Sequence, residues 1–267
     1  MDLPTYVYDR MSQDEKRRLL TEDIKEPVVI RGLYQPKSRN MSFEQVIKLF
    51  GLVELPVEVY DSPESKTTDA YTTTMSVPDL IKHWKKGRSP SLYCAEVDLF
   101  EQRVTPQLLK TLRNPNTSER KVGALMLYLG NNHSSGLHLH VQSDFILNQL
   151  YGTKTVYICD DPRIQKNSVF SPTKSNFAKE DFFKMDHSKM NVYKVTLEPG
   201  DSLLIPPWSW HATQGHGINM SLTQIFERKD RSYLLKHPGL LIDYLSDDYL
   251  TIALVLIVLF MLFRRVR

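Results

Sequence analysis

Apolar residues recur at two different spacings along this chain, and the spacing changes near residue 124. Before that point, residues 11–24 (MSQDEKRRLLTEDI) read as a helix with Ser12 as its N-cap and an acidic first turn. Residues 42–50 (SFEQVIKLF) and 77–85 read as amphipathic helices, and 105–112 as a further helical segment. Residues 27–33 (PVVIRGL) read as a strand, and 92–94 open another strand region. Beyond residue 124 the pattern is that of short strands. They are expected at 124–129, 144–150, 153–159, 192–197, 202–205 and 219–226. The clearest punctuation is the turn Glu198-Pro199-Gly200-Asp201. Residues 163–190 read as a polar excursion with one short helix.

Many short strands closing over one another, preceded by helices, predict a mainly β fold with flanking helices, of the jelly-roll or cupin-like barrel type. Four parts follow: a helical and strand part at 1–123, a β core at 124–228, a helical linker at 229–248 and an apolar terminal segment at 249–263. Pro238 and Gly239 are expected to break or kink the linker helix.

The terminal segment (YLTIALVLIVLFMLF) carries no charge, follows Asp247 and Asp248, and precedes Arg264, Arg265 and Arg267. As a helix its length is only about 22 Å, against a hydrocarbon core of about 30 Å. A buried terminal helix, at a dimer seam for instance, would account for such a segment, but a surface or seam helix should show a polar stripe, and this one is apolar on every side. Flanking arginines extend its reach by snorkelling. We therefore expect a single-pass membrane tail anchor. The first 18 residues have no apolar signal-peptide region, so the folded domain is expected in the cytosol. A short span with a basic tip suits the endoplasmic reticulum or the mitochondrial outer membrane. The sequons at Asn40, Asn116 and Asn219 would matter only to a lumenal domain.

Composition narrows the chemistry. The 267 residues are 41% hydrophobic and 24% charged, an ordinary globular balance. A net charge of +3 gives no reason to expect a nucleic-acid partner. Cys94 and Cys159 are too few for a disulfide framework or a structural zinc site. Any metal must use His, Asp or Glu. His138 and His140, in "SSGLHLH", lie two apart, so on a strand they would point the same way. A third candidate, His211, follows an apolar strand and two prolines in "GDSLLIPPWSWHAT". Trp208 and Trp210 are expected to wall the site. His133 and His216 are expected in loops near its mouth, and His83, His187 and His237 at the surface.

Four stretches together resemble the JmjC family of Fe(II)- and 2-oxoglutarate-dependent oxygenases, which share a double-stranded β-helix. They are "EPVVIRGL", "LYLGNNHSSGLHLH", "QLYGTKTVYI" and "PGDSLLIPPWSWHAT", and the resemblance covers roughly residues 5–228. In that family iron sits on His-x-Asp or His-x-Glu plus a distal His, a facial triad with three open positions. The resemblance places His138 and His211 on the two histidines. The carboxylate position falls on His140, a departure that leaves the site one unit more positive. Asp144 is the nearest other carboxylate and matches a polar position near the cosubstrate rather than a ligand. Lys154 matches a lysine that pairs with the distal carboxylate of 2-oxoglutarate; taken alone it reads equally well as an exposed strand lysine. Ser135, Tyr93 and Thr223 match further cosubstrate positions. The implied function is a membrane-anchored oxygenase that hydroxylates a protein substrate. Two alternatives remain beside it: a catalytically impaired JmjC barrel acting as a tethered binding module, and a three-His dioxygenase that does not use 2-oxoglutarate.

Overall fold

The computed structural model describes residues 2–60, 71–87, 91–102, 104–140, 143–159, 177–178 and 181–228. The expected linker and membrane segment, and most of the 163–190 excursion, lie outside them. Among the described residues no helix is long and apolar enough to cross a membrane.

The helices begin where the caps are. In α1 (Gln13–Leu20) the Ser12 hydroxyl accepts from the Glu15 amide while Glu15 reaches back to Ser12. In α2 (Phe43–Phe50) Ser42 and Gln45 repeat that exchange. Ser76 and Thr105 cap α3 (Val77–Lys85) and α4 (Pro106–Leu112), each with proline in the first turn.

Among the described residues, eleven strands form one continuously bonded sheet. They are β1 (Thr5–Val7), β2 (Val28–Arg31), β3 (Glu54–Tyr60), β4 (Tyr71–Ser76), β5 (Ser91–Asp98), β6 (Val122–Asn131), β7 (Ser134–His138), β8 (Ser143–Cys159), β9 (Val192–Leu197), β10 (Ser202–Ile205) and β11 (Trp210–Glu227). β8 and β11 are long antiparallel partners, and each changes its other neighbour halfway along. The first half of β8 pairs β10 and the second half pairs β9. The first half of β11 pairs β7 and the second half pairs β6. Register between them shifts at residues 216–221. Opposite this shift, Gly152 takes φ +63°, where a Cβ would stand 2.5 Å from the Ile218 carbonyl oxygen. Only glycine fits that bend.

The result is a four-stranded sheet, β9-β8-β11-β7, continuous with a longer one, β1-β2-β10-β8-β11-β6-β5-β3-β4. Phe145, Leu147, Leu203 and Ile205 of the longer sheet pack in one cluster with Val156, Ile158 and Leu197 of the shorter. That shared interior fits a jelly-roll, cupin-like fold. On the outer face of the longer sheet, Leu127, Leu129 and Leu222 pack with Val46 of α2, Leu80 of α3 and Leu108 of α4. Leu20, at the end of α1, joins Ile30, Ile146, Leu204 and Phe226.

The helical expectations hold at all four positions. The strand pattern needs three corrections. Residues 144–150 and 153–159 are one bent strand, not two. β11 begins at Trp210, well before the expected 219. The pattern predicts neither β1 nor the β3–β4 hairpin.

Candidate metal centre

β7 and β11 set the site. His138 and His211 are direct cross-strand partners, so both side chains leave the same face of the shorter sheet. Their ring centroids are 4.2 Å apart. His140 arrives by another route. β7 ends at His138, so strand alternation does not place His140, contrary to the expectation from the sequence. The chain is pinned there by the Trp208 amide, which donates to the His140 carbonyl (2.8 Å). Phe145 then stacks on the His140 ring at 3.9 Å. His140 lies 5.1 Å, ring to ring, from both His138 and His211. One nitrogen from each of the three lies within 4.8 Å of the others.

The hydrogen bonds leave the right atoms free. Nδ1 of His138 donates to the Gly136 carbonyl (2.8 Å), and Nδ1 of His211 to the Ser209 carbonyl (2.9 Å). A carbonyl only accepts, so the proton of each neutral ring sits on Nδ1 and Nε2 keeps its lone pair. Outer-shell carbonyls orient metal-binding histidines in this way. Burial keeps the rings neutral. It lowers the His138 pKa, and it holds His211 at about 3 with help from His138. Burial also pushes His140 well down, with smaller contributions from His138 and His211. Three neutral, converging imidazoles fit a transition metal.

No carboxylate joins this cluster among the described residues. Asp144 is fully buried but belongs to the opposite face, where it pairs with Arg120 (2.9 Å) and accepts from the Ile24 amide (3.0 Å). It is structural. The cosubstrate expectation for it fails because neighbouring Phe145 takes the inward face and alternation turns Asp144 outward.

The interior continues along the same face. Register runs from His211 through Thr213 to Gly215 on β11, opposite Ile158, Val156 and Lys154 on β8. Lys154 is therefore an inward residue, 3% exposed. Burial lowers its pKa to about 7. Its ammonium lies 5.3 Å from the Tyr128 ring centroid. Among the described residues no carboxylate pairs with it. Ser135 faces the interior and shares a hydrogen bond with Thr213 (2.9 Å), a residue the sequence reading passed over. Period two from His211 would have found it. Thr223 pairs with Met126 and Leu147 on the inner face of the longer sheet. Tyr93 is buried and stacks on His133 at 3.8 Å.

Other expectations need correction. Trp210 points away from the histidines, because its neighbour His211 points in; it packs with Leu137, Leu139 and Phe182 behind the site. His133 is buried rather than in an open mouth. His216 lies within β11, where its Nε2 meets the Thr155 hydroxyl at 2.8 Å. His83 and His187 are half-buried, not exposed.

Three histidines gather at the end of a bent sheet in a fold of cupin type, as a cluster that could hold a metal ion. Residues 102–232, a stretch that runs from before α4 through β11, match the family model of the JmjC domain. JmjC domains are in general Fe(II)- and 2-oxoglutarate-dependent oxygenases. No curated protein matches the chain.

Proposed function

We propose that the chain is a JmjC-type Fe(II)/2-oxoglutarate-dependent oxygenase that hydroxylates a side chain of a protein substrate, tethered to a membrane by residues 249–263. The observation that carries this reading is the pairing of two features on one interior face. Three lone-pair-bearing imidazoles stand at one end, and a buried ammonium with no carboxylate partner among the described residues stands further along.

Fe(II), when bound, supplies the activation of O₂ coupled to conversion of 2-oxoglutarate into succinate and CO₂. The chain's own residues bind and orient. His138, His140 and His211 hold the metal; Gly136 and Ser209 fix two of their rings through carbonyls. Lys154 receives the distal carboxylate of the cosubstrate, a charge-assisted contact strengthened by its dry surroundings. Ser135, Tyr93 and Thr223 line the space between. The apolar ring of Phe145 and the cluster around Val156 and Ile158 keep bulk water from the interior.

Replacing Lys154 by Ala is expected to abolish 2-oxoglutarate binding in calorimetry while Fe(II) stoichiometry is kept. Unchanged binding would remove Lys154 from the site. A second reading has its own support: His140 stands where the family carries a carboxylate, which favours a barrel kept as a tethered binding module. That reading predicts a folded protein that takes up neither iron nor 2-oxoglutarate.

A further inference from the structure

Three large apolar side chains are exposed among the described residues, and two of them stand on loops that face one groove. Leu52, 89% exposed, follows α2, and Phe100, 43% exposed, follows β5. The groove has a volume of about 620 Å³ and is lined by Leu52, Val53 and Glu54 on one side and by Glu101 and Gln102 on the other. None of these residues belongs to the histidine site. One exposed leucine is ordinary on a protein surface. Here local structure makes the exposure. The Val53 amide donates to the Phe50 carbonyl (3.1 Å), closing a turn with Gly51 and Leu52 at its centre. Gly51 takes φ +57° and ψ −130°, as the first central residue of a type II′ turn does. The turn puts Leu52 at its corner and returns Val53 to the core between the helices and the longer sheet.

The facing loop is fixed in the same manner. A carboxylate oxygen of Asp98 accepts from the amides of Phe100 (2.9 Å) and Leu125 (3.2 Å). The Asp98 carbonyl accepts from Glu101 (3.1 Å) and Gln102 (3.2 Å). Both apolar tips are therefore held out by hydrogen-bonded turns, and a surface ordered in advance loses little entropy when a partner arrives. The charge of the groove has one sign. Glu54 and Glu101 are exposed, neither forms an ion pair among the described residues, and no Lys or Arg joins the lining. The Glu54 carboxylate accepts only the Thr74 hydroxyl, at 3.4 Å. With Leu52 standing so far out, the furrow is too open to enclose a small molecule, which a concave site would bury almost wholly. It suits a polypeptide segment laid across it. An anionic lipid surface would be repelled by the two carboxylates.

We infer that the groove between Leu52 and Glu101 docks a partner protein, through a segment that carries a large apolar side chain flanked by lysine or arginine. The apolar side chain covers Leu52, and the flanking cations meet Glu54 and Glu101. The inference stands whether the histidine site catalyses or only binds.

The test uses the full-length protein in detergent micelles. A random-sequence peptide library displayed on phage is panned on the wild type, with Leu52→Ser as the counter-target. Leu52 touches so little of its own chain that this variant should keep the wild-type melting temperature. Peptides retained by the wild type alone are expected to carry Lys or Arg beside Leu, Phe or Trp. Synthesised singly, they should bind Leu52→Ser roughly 10- to 100-fold more weakly, the range for one leucine buried on binding. Glu101→Lys should slow their association and remove its salt dependence, and peptides with the opposite charges should bind that variant in their place. Selection of no peptide specific to the wild type would overturn the inference, as would specific peptides without cations, or equal affinity for all three proteins. Two further outcomes overturn it by giving the groove another occupant. Loss of peptide binding on transfer into phosphatidylserine vesicles would put a lipid surface there. A wild-type dimer that Leu52→Ser dissociates, seen by light scattering, would put a second copy of the chain there.

Discussion

On the proposed reading, His140 takes the position of the family's carboxylate. The ring stacks on Phe145 and its backbone is held by the Trp208 amide. The cost lies in charge, because three neutral ligands leave Fe(II) one unit more positive than two histidines and a carboxylate do. Asp144 does not compensate. It completes a buried ion pair with Arg120 on the other face. Asp144→Asn should therefore leave iron stoichiometry unchanged and cost about 3–5 kcal/mol of stability in denaturant unfolding, as expected when one partner of a buried pair is removed. Loss of iron in that variant would make Asp144 a ligand after all. His133 has a pH signature. Its pKa falls from near 6.5 in the unfolded chain to about 3 when folded. The native state then binds fewer protons, so this residue's contribution to stability is intact above 6.5 and is lost as pH falls from there toward 3. Between pH 7 and pH 5, metal-free wild type should lose up to about 2 kcal/mol more than His133→Phe. Equal losses would mean that the ring protonates freely in the native state.

Among the elements, β8 and β11 determine where everything sits. Each serves two sheets by bending, and the bend converts one ladder into a barrel interior. Gly152→Ala should lower the melting temperature by at least about 4 °C. A left-handed backbone costs a non-glycine residue about 1–2 kcal/mol, each worth about 2–4 °C in a chain of this size, before the contact with the Ile218 carbonyl is counted. A smaller shift would mean that the bend relaxes at little cost. These strands also show how far the sequence could be read. The helices were legible because Ser12, Ser42, Ser76 and Thr105 cap them locally. Each half of β8 was legible as apolar strand, but not their continuity, because a glycine in a strand reads as a break. The start of β11 was obscured by Trp-Ser-Trp-His-Ala-Thr, whose alternation puts aromatics behind the site and histidine inside it. His138 and His211 followed from motif and resemblance. His140 converges through a tertiary hydrogen bond, which no period along the chain encodes. Thr213 became visible only once cross-strand register was known.

For the molecule as a whole, the barrel and the apolar terminus make separate claims. If residues 249–263 anchor the chain, truncation after Asp248 should release it from membranes under carbonate extraction; a truncated chain that still pellets would refute the anchor. The sequons add a test of which side the domain faces. Asn219 is 3% exposed and Asn116 donates to the Leu33 carbonyl, whereas Asn40 is exposed. A cytosolic domain should show no endoglycosidase shift. A shift mapping to Asn40 would place it in the lumen.

The central claim is that the three histidines and Lys154 form one working cosubstrate site. The most direct measurement is titration of 2-oxoglutarate into the anaerobic full-length protein, with bound iron assayed first. We predict one Fe(II) per chain, one 2-oxoglutarate per iron, and loss of the second but not the first in Lys154→Ala. A folded protein that takes up neither would contradict the account and leave His140 as the mark of a barrel that binds without catalysing.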